Sequence, residues 1–400
     1  MRTTTEITPL KILYFSPHPH INMAAPSGPG THIREVISAL EKEGHDVIRF
    51  IAGGETLQST GPIQFRKHRW KQFVPRIFWE TLRDLSMIRA DLRIEKQLLE
   101  AIYQHKPDVI YERSCYGMLA GLRASQKTGV RYIVEMNAPY PEEKIKMQGS
   151  SLLNFLGNRN EKIQVHGAHK VIVVSSAMKH YLISKTEIAD ERVLVIPNAV
   201  NLEDVAVNEQ HIDQLRNKLK LEKTNQVIGF VGSIFPYHGV DRMIDAFAAV
   251  QGDFQQVRMM IVGDGEVLPA LKKRAQELGL GDKIAFTGNV PHSEVYNYIS
   301  LMDITVMARS NWYGSPVKIF EYGAMRKVII APDVIPVQDV MTHQTDGLLI
   351  PDTPEALEKA IRFVLNNPQD SANMALVFHE KVLAQYTWRK VAQQIINACQ

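Results

Sequence analysis

Short apolar runs alternate with helix-like patterns along most of the chain. Residues 11–16 form an apolar run typical of a buried strand, and a helix is predicted to open near Thr31, with apolar residues at helical spacing up to Leu40. The alternation pauses near residue 200 and restarts at residue 227. Strands that alternate with helices favour parallel sheets covered on both faces. Further predicted strands are 46–51, 109–111, 132–134, 171–174, 193–196, 227–231, 257–262, 284–286, 304–307 and 328–331.

The chain length and a polar segment together predict two domains. At 400 residues the chain is long for a single core. Residues 201–226 are polar and charged, contain one short amphipathic helix, and separate the two alternating patterns. We therefore predict an N-terminal Rossmann-like domain over residues 1–205 and a C-terminal Rossmann-like domain over residues 206–385. The sequence permits the last helix, at about 386–400, to pack on the first domain.

Composition restricts the class of protein more than its chemistry. The hydrophobic content of 45% and the charged content of 22% are ordinary for a globular protein, and a net charge of +3 gives no argument for nucleic acid. Cys115 and Cys399 match no metal or redox spacing, which favours a reducing cytosol. Residues 1–9 lack a hydrophobic signal core, and no apolar run approaches the ~20 residues of a membrane helix. We therefore expect a cytoplasmic protein, either soluble or peripheral at the inner face of the membrane.

The segment from Gly314 to Glu321 carries the most informative chemistry of the sequence. Gly314 permits a tight turn, Ser315 is a good N-cap and Pro316 suits the first helical position. Lys318 then falls in the first helical turn, where the helix dipole disfavours a cation, and an anion bound at this N-terminus would reverse that conflict. Glu321 lies three residues on, on the same side of the helix. A phosphate near the lysine and a hydroxyl near the glutamate suit a nucleotide; the alternative is a weak surface ion pair.

Glycine-bearing loops follow predicted strands in both halves, where open α/β sheets bind ligands. Gly28 and Gly30 stand in a loop before the first helix, which can bring amides close to an oxyanion; a flexible loop is the alternative. This loop lacks the third glycine of a dinucleotide fingerprint, and no acidic residue follows the second strand, which disfavours a nicotinamide enzyme. In the second half Ser233 and His238 follow a strand and can both reach an anion, although such a histidine is as often a surface residue.

Five motifs of the chain resemble those of family 4 glycosyltransferases, which have the GT-B fold. They occur in a similar order, as residues 196–200 (Ile-Pro-Asn-Ala-Val), 230–233 (Phe-Val-Gly-Ser), 261–265 (Ile-Val-Gly-Asp-Gly), 286–290 (Phe-Thr-Gly-Asn-Val) and 314–321. The resemblance implies an α/β protein of two Rossmann-like domains whose parallel sheets face a central cleft. It also implies a retaining, hexosyltransferase-type enzyme that moves a sugar from a nucleotide-diphosphate sugar, held mainly by the second domain. That donor substrate is the only small molecule implied, with no separate cofactor and no enzyme nucleophile.

The resemblance assigns roles to individual residues around the donor. Glu321 matches the glutamate that binds the donor ribose hydroxyls, whereas the first glutamate of the family's pair would stand at Tyr313. The family's phosphate-binding arginine and lysine align with Ser233 and His238. Lys318, helix-end amides and a protonated His238 would then offset the charge of the leaving group.

The remaining donor contacts are predicted in loops. Asn289 and Val290 belong to a stretch that resembles the base-contacting loop of the family. No Asp-x-Asp pair follows a suitable strand, so we expect a reaction without a metal ion. The other donor-binding residues predicted here are Gly28, Gly30, Ser233, Gly314, Ser315, Pro316 and Val317.

The first half offers candidates for sugar or acceptor contacts. Glu135 and Asn137 follow a predicted strand at a place where the family contacts the acceptor or the transferred sugar, although Asn137 equally suits a turn before Pro139. The cluster at residues 111–113 (Tyr-Glu-Arg) also ends a strand, with an internal salt bridge as its alternative. The sequence leaves the acceptor open as a glycan, a lipid-linked molecule or a small molecule.

Residues 66–96 are basic and contain apolar residues close to helical spacing. They carry nine Lys/Arg and four Asp/Glu. A basic amphipathic helix can lie on an anionic membrane and deliver a lipid-linked acceptor. We favour the alternative, in which the apolar face packs on the first domain and the basic face is solvated, because every globular helix needs an apolar face.

Two other functions fit the same sequence. A nucleotide-sugar epimerase of the same architecture would hydrolyse or isomerise the donor with no acceptor present. A catalytically weakened sugar-nucleotide-binding homologue is suggested by Tyr313, Ser233 and His238. Lys318 and Glu321 argue against such a homologue, because a degenerate site has no need for a lysine against the helix dipole. The sequence therefore favours the glycosyltransferase.

Overall fold

The computed structural model of the protein describes residues 8–25, 27–56 and 75–400. The chain divides into two compact units. Unit 1 comprises the residues up to Pro197 together with Trp388–Gln400, and unit 2 comprises Asn198–Thr387. The chain therefore passes from one unit to the other after Pro197, and its last helix belongs to unit 1.

Unit 1 is built on a six-stranded parallel sheet with strand order β2-β1-β3-β4-β5-β6. The central strands are buried, with Ile12, Leu13 and Ile110 fully excluded from solvent. Strands covered on both faces read as continuous apolar runs, which explains why the pattern revealed them. The strands are β1 (Lys11–Ser16), β2 (Asp46–Ile51), β3 (Val109–Arg113), β4 (Arg131–Met136), β5 (Lys170–Val173) and β6 (Val193–Val195).

The helices of unit 1 connect these strands and include the last helix of the chain. They are α1 (Gly28–Lys42), α2 (Arg76–His105), α3 (Ala120–Thr128), α4 (Tyr140–Gln148), α5 (Asn154–Gly167), α6 (Ser176–Thr186) and α15 (Trp388–Cys399). Helix α15 packs against α1, where Arg389 Nε donates to Glu43 Oε1 at 2.8 Å and the Trp388 ring meets the His32 ring edge-on. The apolar face of α15 is thereby buried within unit 1.

Helix α2 packs on unit 1 with a solvated basic face, as we favoured: Ile94 and Leu98 are buried, and Arg89, Arg93 and Lys96 are exposed. Of the apolar residues near its start, however, Phe78, Leu85 and Leu92 are exposed, and Ile77 and Ile88 are only partly buried. The part of the basic segment before residue 75, with Trp70 and Val74, lies outside the described residues.

Unit 2 repeats the architecture with strand order β12-β11-β10-β7-β8-β9, again all parallel. Strand β12 is absent from the predicted strands, although its three residues are apolar. The two sheets confirm the predicted α/β class with two Rossmann-like halves. The strands are β7 (Gln226–Val231), β8 (Val257–Val262), β9 (Ile284–Gly288), β10 (Ile304–Val306), β11 (Val328–Pro332) and β12 (Leu348–Ile350).

One helix of unit 2 precedes its first strand, and the others lie between the strands or after the last one. Within the described residues, no helix combines the length and apolarity needed to cross a bilayer. The helices are α7 (Glu209–Lys218), α8 (Val240–Gln251), α9 (Leu268–Glu277), α10 (Val295–Ser300), α11 (Val317–Ala324), α12 (Ile335–Gln338), α13 (Pro354–Asn366) and α14 (Pro368–Gln385).

Candidate functional site

Helix α11 begins one residue later than predicted, because Ser315 is not its N-cap. Pro316 takes the N-cap position and α11 starts without a side-chain cap. Ser315 Oγ instead accepts a hydrogen bond from the Asn198 backbone N at 3.0 Å, and Asn198 Nδ2 donates to the Ser315 carbonyl at 2.7 Å. These bonds fix the chain just before α11, whose first amides are left open to a bound group.

The turn before Ser315 is made by Asn311 rather than by a left-handed glycine. Asn311 Oδ1 accepts hydrogen bonds from the backbone N of Tyr313 at 3.2 Å and of Gly314 at 2.5 Å. A Cβ at Gly314 would lie 2.8 Å from that oxygen. Glycine therefore allows the Asn311 side chain to approach closely, and the predicted tight turn is made by this Asx side chain.

Lys318 lies at the start of α11 and is half-buried. Its Nζ is 4.4 Å from the centre of the Phe230 ring, and a Cβ at Gly232 would lie 3.2 Å from it. Burial lowers the pKa of Lys318 to about 8, opposed by the nearby Glu321 carboxylate. No carboxylate of the described residues lies within 4.0 Å of this ammonium. The cation thus occupies a partly desolvated position without an ion-pair partner, as an anion site requires.

Two glycines bring the loops after β7 and β8 into direct backbone contact beside Lys318. Gly232 N donates to the Val262 carbonyl at 3.0 Å, and a Cβ at Gly263 would lie 2.0 Å from the Gly232 oxygen. Both glycines have positive φ, 142° and 134°. On the other side Tyr322 OH accepts from Val231 N at 2.9 Å, which ties α11 to the end of β7.

His238 lies in the loop after β7, near Lys318. Burial and the Lys318 ammonium lower the pKa of His238 to about 4. The predicted protonated His238 is therefore wrong for the unliganded protein at neutral pH, where the imidazole is neutral. Ser233 is exposed in the same loop, so Lys318 provides the positive charge among these three residues.

Glu321 lies one turn after Lys318 and is half-buried. Burial raises the pKa of Glu321, whereas His292 and Lys318 act in the opposite direction. Within the described residues its carboxylate has no ion pair within 4.0 Å. Its oxygens are therefore free to accept hydrogen bonds from a ligand.

The predicted base-contacting loop leads from the end of β9 into the segment before α10. Asn289 is exposed, and Val290 packs partly against the hydrophobic core of unit 2. Gly288 has a positive φ of 71° and its carbonyl accepts from Gly263 N at 2.9 Å. This loop therefore joins the β7 and β8 loops at the carboxyl edge of the sheet.

In unit 1 the structure changes the interpretation of Gly28 and Gly30. Both residues lie in the first turn of α1, which opens three residues earlier than predicted. Ser27 is the N-cap, and its Oγ accepts from Gly30 N at 3.3 Å. A Cβ at Gly30 would lie 2.6 Å from the Ala25 carbonyl oxygen. The prediction of a mobile loop is wrong, and the Gly30 amide is already engaged.

Glu135 is the centre of a buried polar network rather than an open sugar contact. Its carboxylate accepts from Tyr111 OH at 2.5 Å, Arg113 Nη1 at 3.1 Å and Asn137 Nδ2 at 2.6 Å, and His32 Nε2 lies 3.1 Å away. These charges and hydrogen bonds lower the pKa of Glu135 despite burial. Arg113 thus forms a buried salt bridge, but with Glu135 and not with Glu112 of its own cluster, which accepts from Tyr132 and Gln164. A direct sugar contact by Glu135 is contradicted, because the side chain is 2% exposed and fully partnered.

Sequence reasoning missed the residues that hold the site in place. Phe230, Asn311 and Tyr322 position Lys318 and its helix, yet none has chemistry that distinguishes it from an ordinary core or loop residue. Asn198 and Phe230 do belong to the five motifs, and the contact of Asn198 with Ser315 joins the motif at residues 196–200 to the segment before α11.

Two family models match the chain. "Glycosyltransferase Family 4" matches residues 26–204, and "Glycosyl transferases group 1" matches residues 211–376. The two matches follow one another and together leave only short stretches uncovered. The chain belongs to the family 4 glycosyltransferases.

Curated relatives of this family 4 glycosyltransferase are distant. The GPI3 subunit of phosphatidylinositol N-acetylglucosaminyltransferase from Saccharomyces cerevisiae is 26% identical over 57% of this chain and 50% of the yeast protein. Alpha-monoglucosyldiacylglycerol synthase from Streptococcus pneumoniae is 24% identical over 71% of this chain and 63% of that protein. The chain thus spans about half to two-thirds of these relatives.

Solved structures similar to this family 4 glycosyltransferase cover nearly all of it. HepE from Anabaena in complex with UDP has a TM-score of 0.70 at 18% identity, over 97% of this chain and 99% of HepE. A glycosyltransferase from Rickettsia africae has a TM-score of 0.74 at 17% identity, over 98% of each chain. These similarities confirm the GT-B fold.

Proposed function

We propose that the protein transfers a sugar from a nucleotide-diphosphate sugar to an acceptor hydroxyl, with retention of anomeric configuration. The observation that carries this proposal is Lys318, a half-buried ammonium without an ion-pair partner among the described residues, placed at the uncapped start of α11. A dianionic diphosphate satisfies both the ammonium and the helix-end amides.

Each residue of the site has a role in this proposal. Lys318 and the amides after Ser315 hold the diphosphate and stabilise its charge as the glycosidic bond breaks. Glu321 accepts hydrogen bonds from the ribose hydroxyls, and Asn289 with Val290 presents main chain to the base. The acceptor oxygen bonds to the anomeric carbon, the carbon–phosphate-oxygen bond breaks, and the acceptor proton passes to a donor phosphate oxygen on the same face.

His238 acts as a neutral group in this site. Because the pKa of His238 is about 4, its imidazole carries no positive charge at neutral pH and does not compete with the Lys318 ammonium for solvation. A bound diphosphate would raise that pKa, because a nearby anion favours the protonated imidazole. We therefore assign His238 to hydrogen bonding with the diphosphate.

The names of relatives suggest which donor and acceptor to test first. HepE was solved with UDP and with UDP-glucose, which makes a uridine-diphosphate sugar the first donor. The names of the yeast and streptococcal relatives contain phosphatidylinositol and diacylglycerol, which makes a lipid the first acceptor class. A cytoplasmic location and a reaction without a metal ion remain predictions.

Donor binding and acceptor dependence test the proposal together. A panel of UDP- and GDP-sugars is screened by thermal shift, with the bare nucleotides as controls, and the stabilising sugar is incubated with and without lipid acceptors. We expect nucleotide release that depends on the acceptor and a product whose anomeric configuration, read by NMR, matches the donor. Equal donor conversion without acceptor, or an inverted product, would overturn the proposal.

A further inference from the structure

Helix α2 is oriented with its carboxylates inward. Asp84, Asp91 and Glu95 are each about 95% buried in unit 1. They recur at spacings of seven and four residues and therefore occupy one face of the helix. Ile94, Leu98 and Ile102 are buried as well, so the inward face of α2 carries both apolar and acidic residues.

Ion pairs explain this orientation. Asp84 accepts from Lys144 Nζ at 3.0 Å, and Asp91 accepts from Arg123 Nη2 at 2.7 Å. Glu95 pairs with Arg123 at 2.5 Å and with Lys127 at 2.7 Å. Buried carboxylates are stable only when paired, so these contacts, together with the buried Ile94, Leu98 and Ile102, fix which face of α2 is turned toward unit 1.

The opposite face of α2 combines apolar and cationic side chains. Phe78, Leu82, Leu85 and Leu92 are exposed, with Leu82 57% accessible. Arg89, Arg93 and Lys96 are exposed on the same side of the helix. Six of these seven residues follow one another at spacings of three or four, and the seventh, Arg93, adjoins Leu92. We call these seven residues the α2 outer face.

The cations of the α2 outer face are unpaired. Within the described chain no carboxylate lies within 4.0 Å of Arg89, Arg93 or Lys96. The helix thus separates its charges, with its buried acids neutralised inside and its bases uncompensated outside. This distribution is complementary to an anionic surface that also accepts apolar side chains.

A second exposed apolar segment adjoins α2. Leu152 N donates to Thr81 Oγ1 at 3.0 Å, which places the start of α5 beside α2. Leu152 and Phe155 are 58% and 62% exposed, and the basic Arg159 follows on α5. The combination of exposed apolar residues and arginine therefore occurs on both neighbouring helices.

We propose that the α2 outer face, with Leu152 and Phe155, binds the surface of an anionic membrane. The leucine and phenylalanine side chains enter the headgroup boundary and the three cations contact lipid phosphates. This binding is independent of the proposed sugar transfer, since it requires no nucleotide and no acceptor.

The test is cosedimentation of the full chain with vesicles, without a nucleotide. Vesicles of phosphatidylcholine are compared with vesicles that also contain phosphatidylglycerol. One variant, Leu82→Ser with Leu85→Ser, removes apolar contacts, and a second, Arg89→Gln with Arg93→Gln and Lys96→Gln, removes charge. Leu383→Ser and Lys218→Gln with Lys223→Gln are matched controls, because these residues are exposed in unit 2.

We expect binding to the anionic vesicles only, weakened by added salt. The leucine and charge variants should each lower the partition coefficient by roughly tenfold or more, while the controls leave it unchanged. An unchanged unfolding temperature shows that the variants are folded. Retained binding in both variants, or no binding by the original protein, overturns the proposal. Self-association that is lost in the leucine variant assigns this face to a second copy of the chain and overturns it as well.

Discussion

The Lys318 ammonium lies 4.4 Å from the centre of the Phe230 ring, at the start of helix α11. A ring face attracts a cation but does not neutralise it, so the charge remains available for an anion. The ring also takes water from one side of the ammonium, which contributes to the lowered pKa. The pair explains how a lysine is held against the helix dipole without a carboxylate partner.

Removing the Lys318 ammonium should weaken nucleotide binding. We expect Lys318→Ala to reduce the affinity for UDP or GDP by about 1–3 kcal/mol, the range of a charge-assisted hydrogen bond. Isothermal titration calorimetry measures the difference, with the exposed Lys218→Ala as control. Equal affinities of the Lys318 variant and the original protein would remove the diphosphate assignment.

Nucleotide affinity should fall as pH rises through the pKa of Lys318. That pKa is about 8 in the unliganded protein, so the amine is charged below it and neutral above it. The loss of affinity should start near neutral pH. Well above the pKa, each nucleotide bound should take up about one proton, because the anion binds the charged form of the amine. Lys318→Arg keeps its charge over this range and serves as the control. A pH-independent affinity of the original protein would contradict the role of this lysine.

The ribose role of Glu321 predicts a selective effect. We expect Glu321→Gln to weaken UDP by about 1–3 kcal/mol, because a charged acceptor of two hydroxyl hydrogen bonds becomes a neutral one. Pyrophosphate lacks the ribose, and its affinity should change little or increase as the negative charge is lost. Calorimetry with both ligands decides the matter, since equal losses would place Glu321 at the phosphates instead.

The close backbone contact between Gly263 and Gly232 should not tolerate a side chain at Gly263. Gly263→Ala puts a Cβ 2.0 Å from the Gly232 oxygen at a φ of 134°, so we expect at least about 2 kcal/mol of destabilisation. Gly252→Ala is the matched control, because its φ is −64° and its Cβ meets open space. Denaturant unfolding followed by circular dichroism compares the two. A Gly263 variant as stable as the Gly252 variant would show that the two loops can move apart to accept the added Cβ.

The Glu135 network should be structural. Arg113→Met leaves a buried carboxylate without its guanidinium, which typically costs about 3–5 kcal/mol. The exposed Arg159→Met is the control, with an expected change below about 1 kcal/mol. Nucleotide affinity measured below the unfolding temperature should be unchanged in both. A stable Arg113 variant with altered turnover would instead indicate that this network takes part in the reaction.

Most of the fold could be predicted from the sequence, because strands buried on both faces leave continuous apolar runs. The sequence predicts β1 and β8 in this way but misses the equally apolar β12. The start of α1 was misplaced because Gly28, Pro29 and Gly30 look like a loop until Ser27 is seen to cap them. Local residue types thus predict elements well and their first turns poorly.

The candidate site, too, could be predicted only in part from the sequence. The sequence identified Lys318 and Glu321, because a lysine in a first helical turn conflicts with the dipole and needs an explanation. It could not show that Ser315 is hydrogen-bonded to Asn198, 117 positions away, or that the Glu135 carboxylate is hydrogen-bonded by buried neighbours. Such contacts depend on which strands become adjacent, and residue spacing does not contain that information.

The sequence by itself determined the two α/β halves, the family motifs and the segment from Gly314 to Glu321. The tertiary structure decided the protonation of His238, the environment of Lys318 and the direction in which α2 faces. The physical reason is that apolar periodicity is a local property, whereas a pKa and the orientation of a helix depend on charges from distant segments. For α2 those charges are Lys144, Arg123 and Lys127, which pair with its inward acids, while Leu82, Leu85 and Leu92 remain exposed.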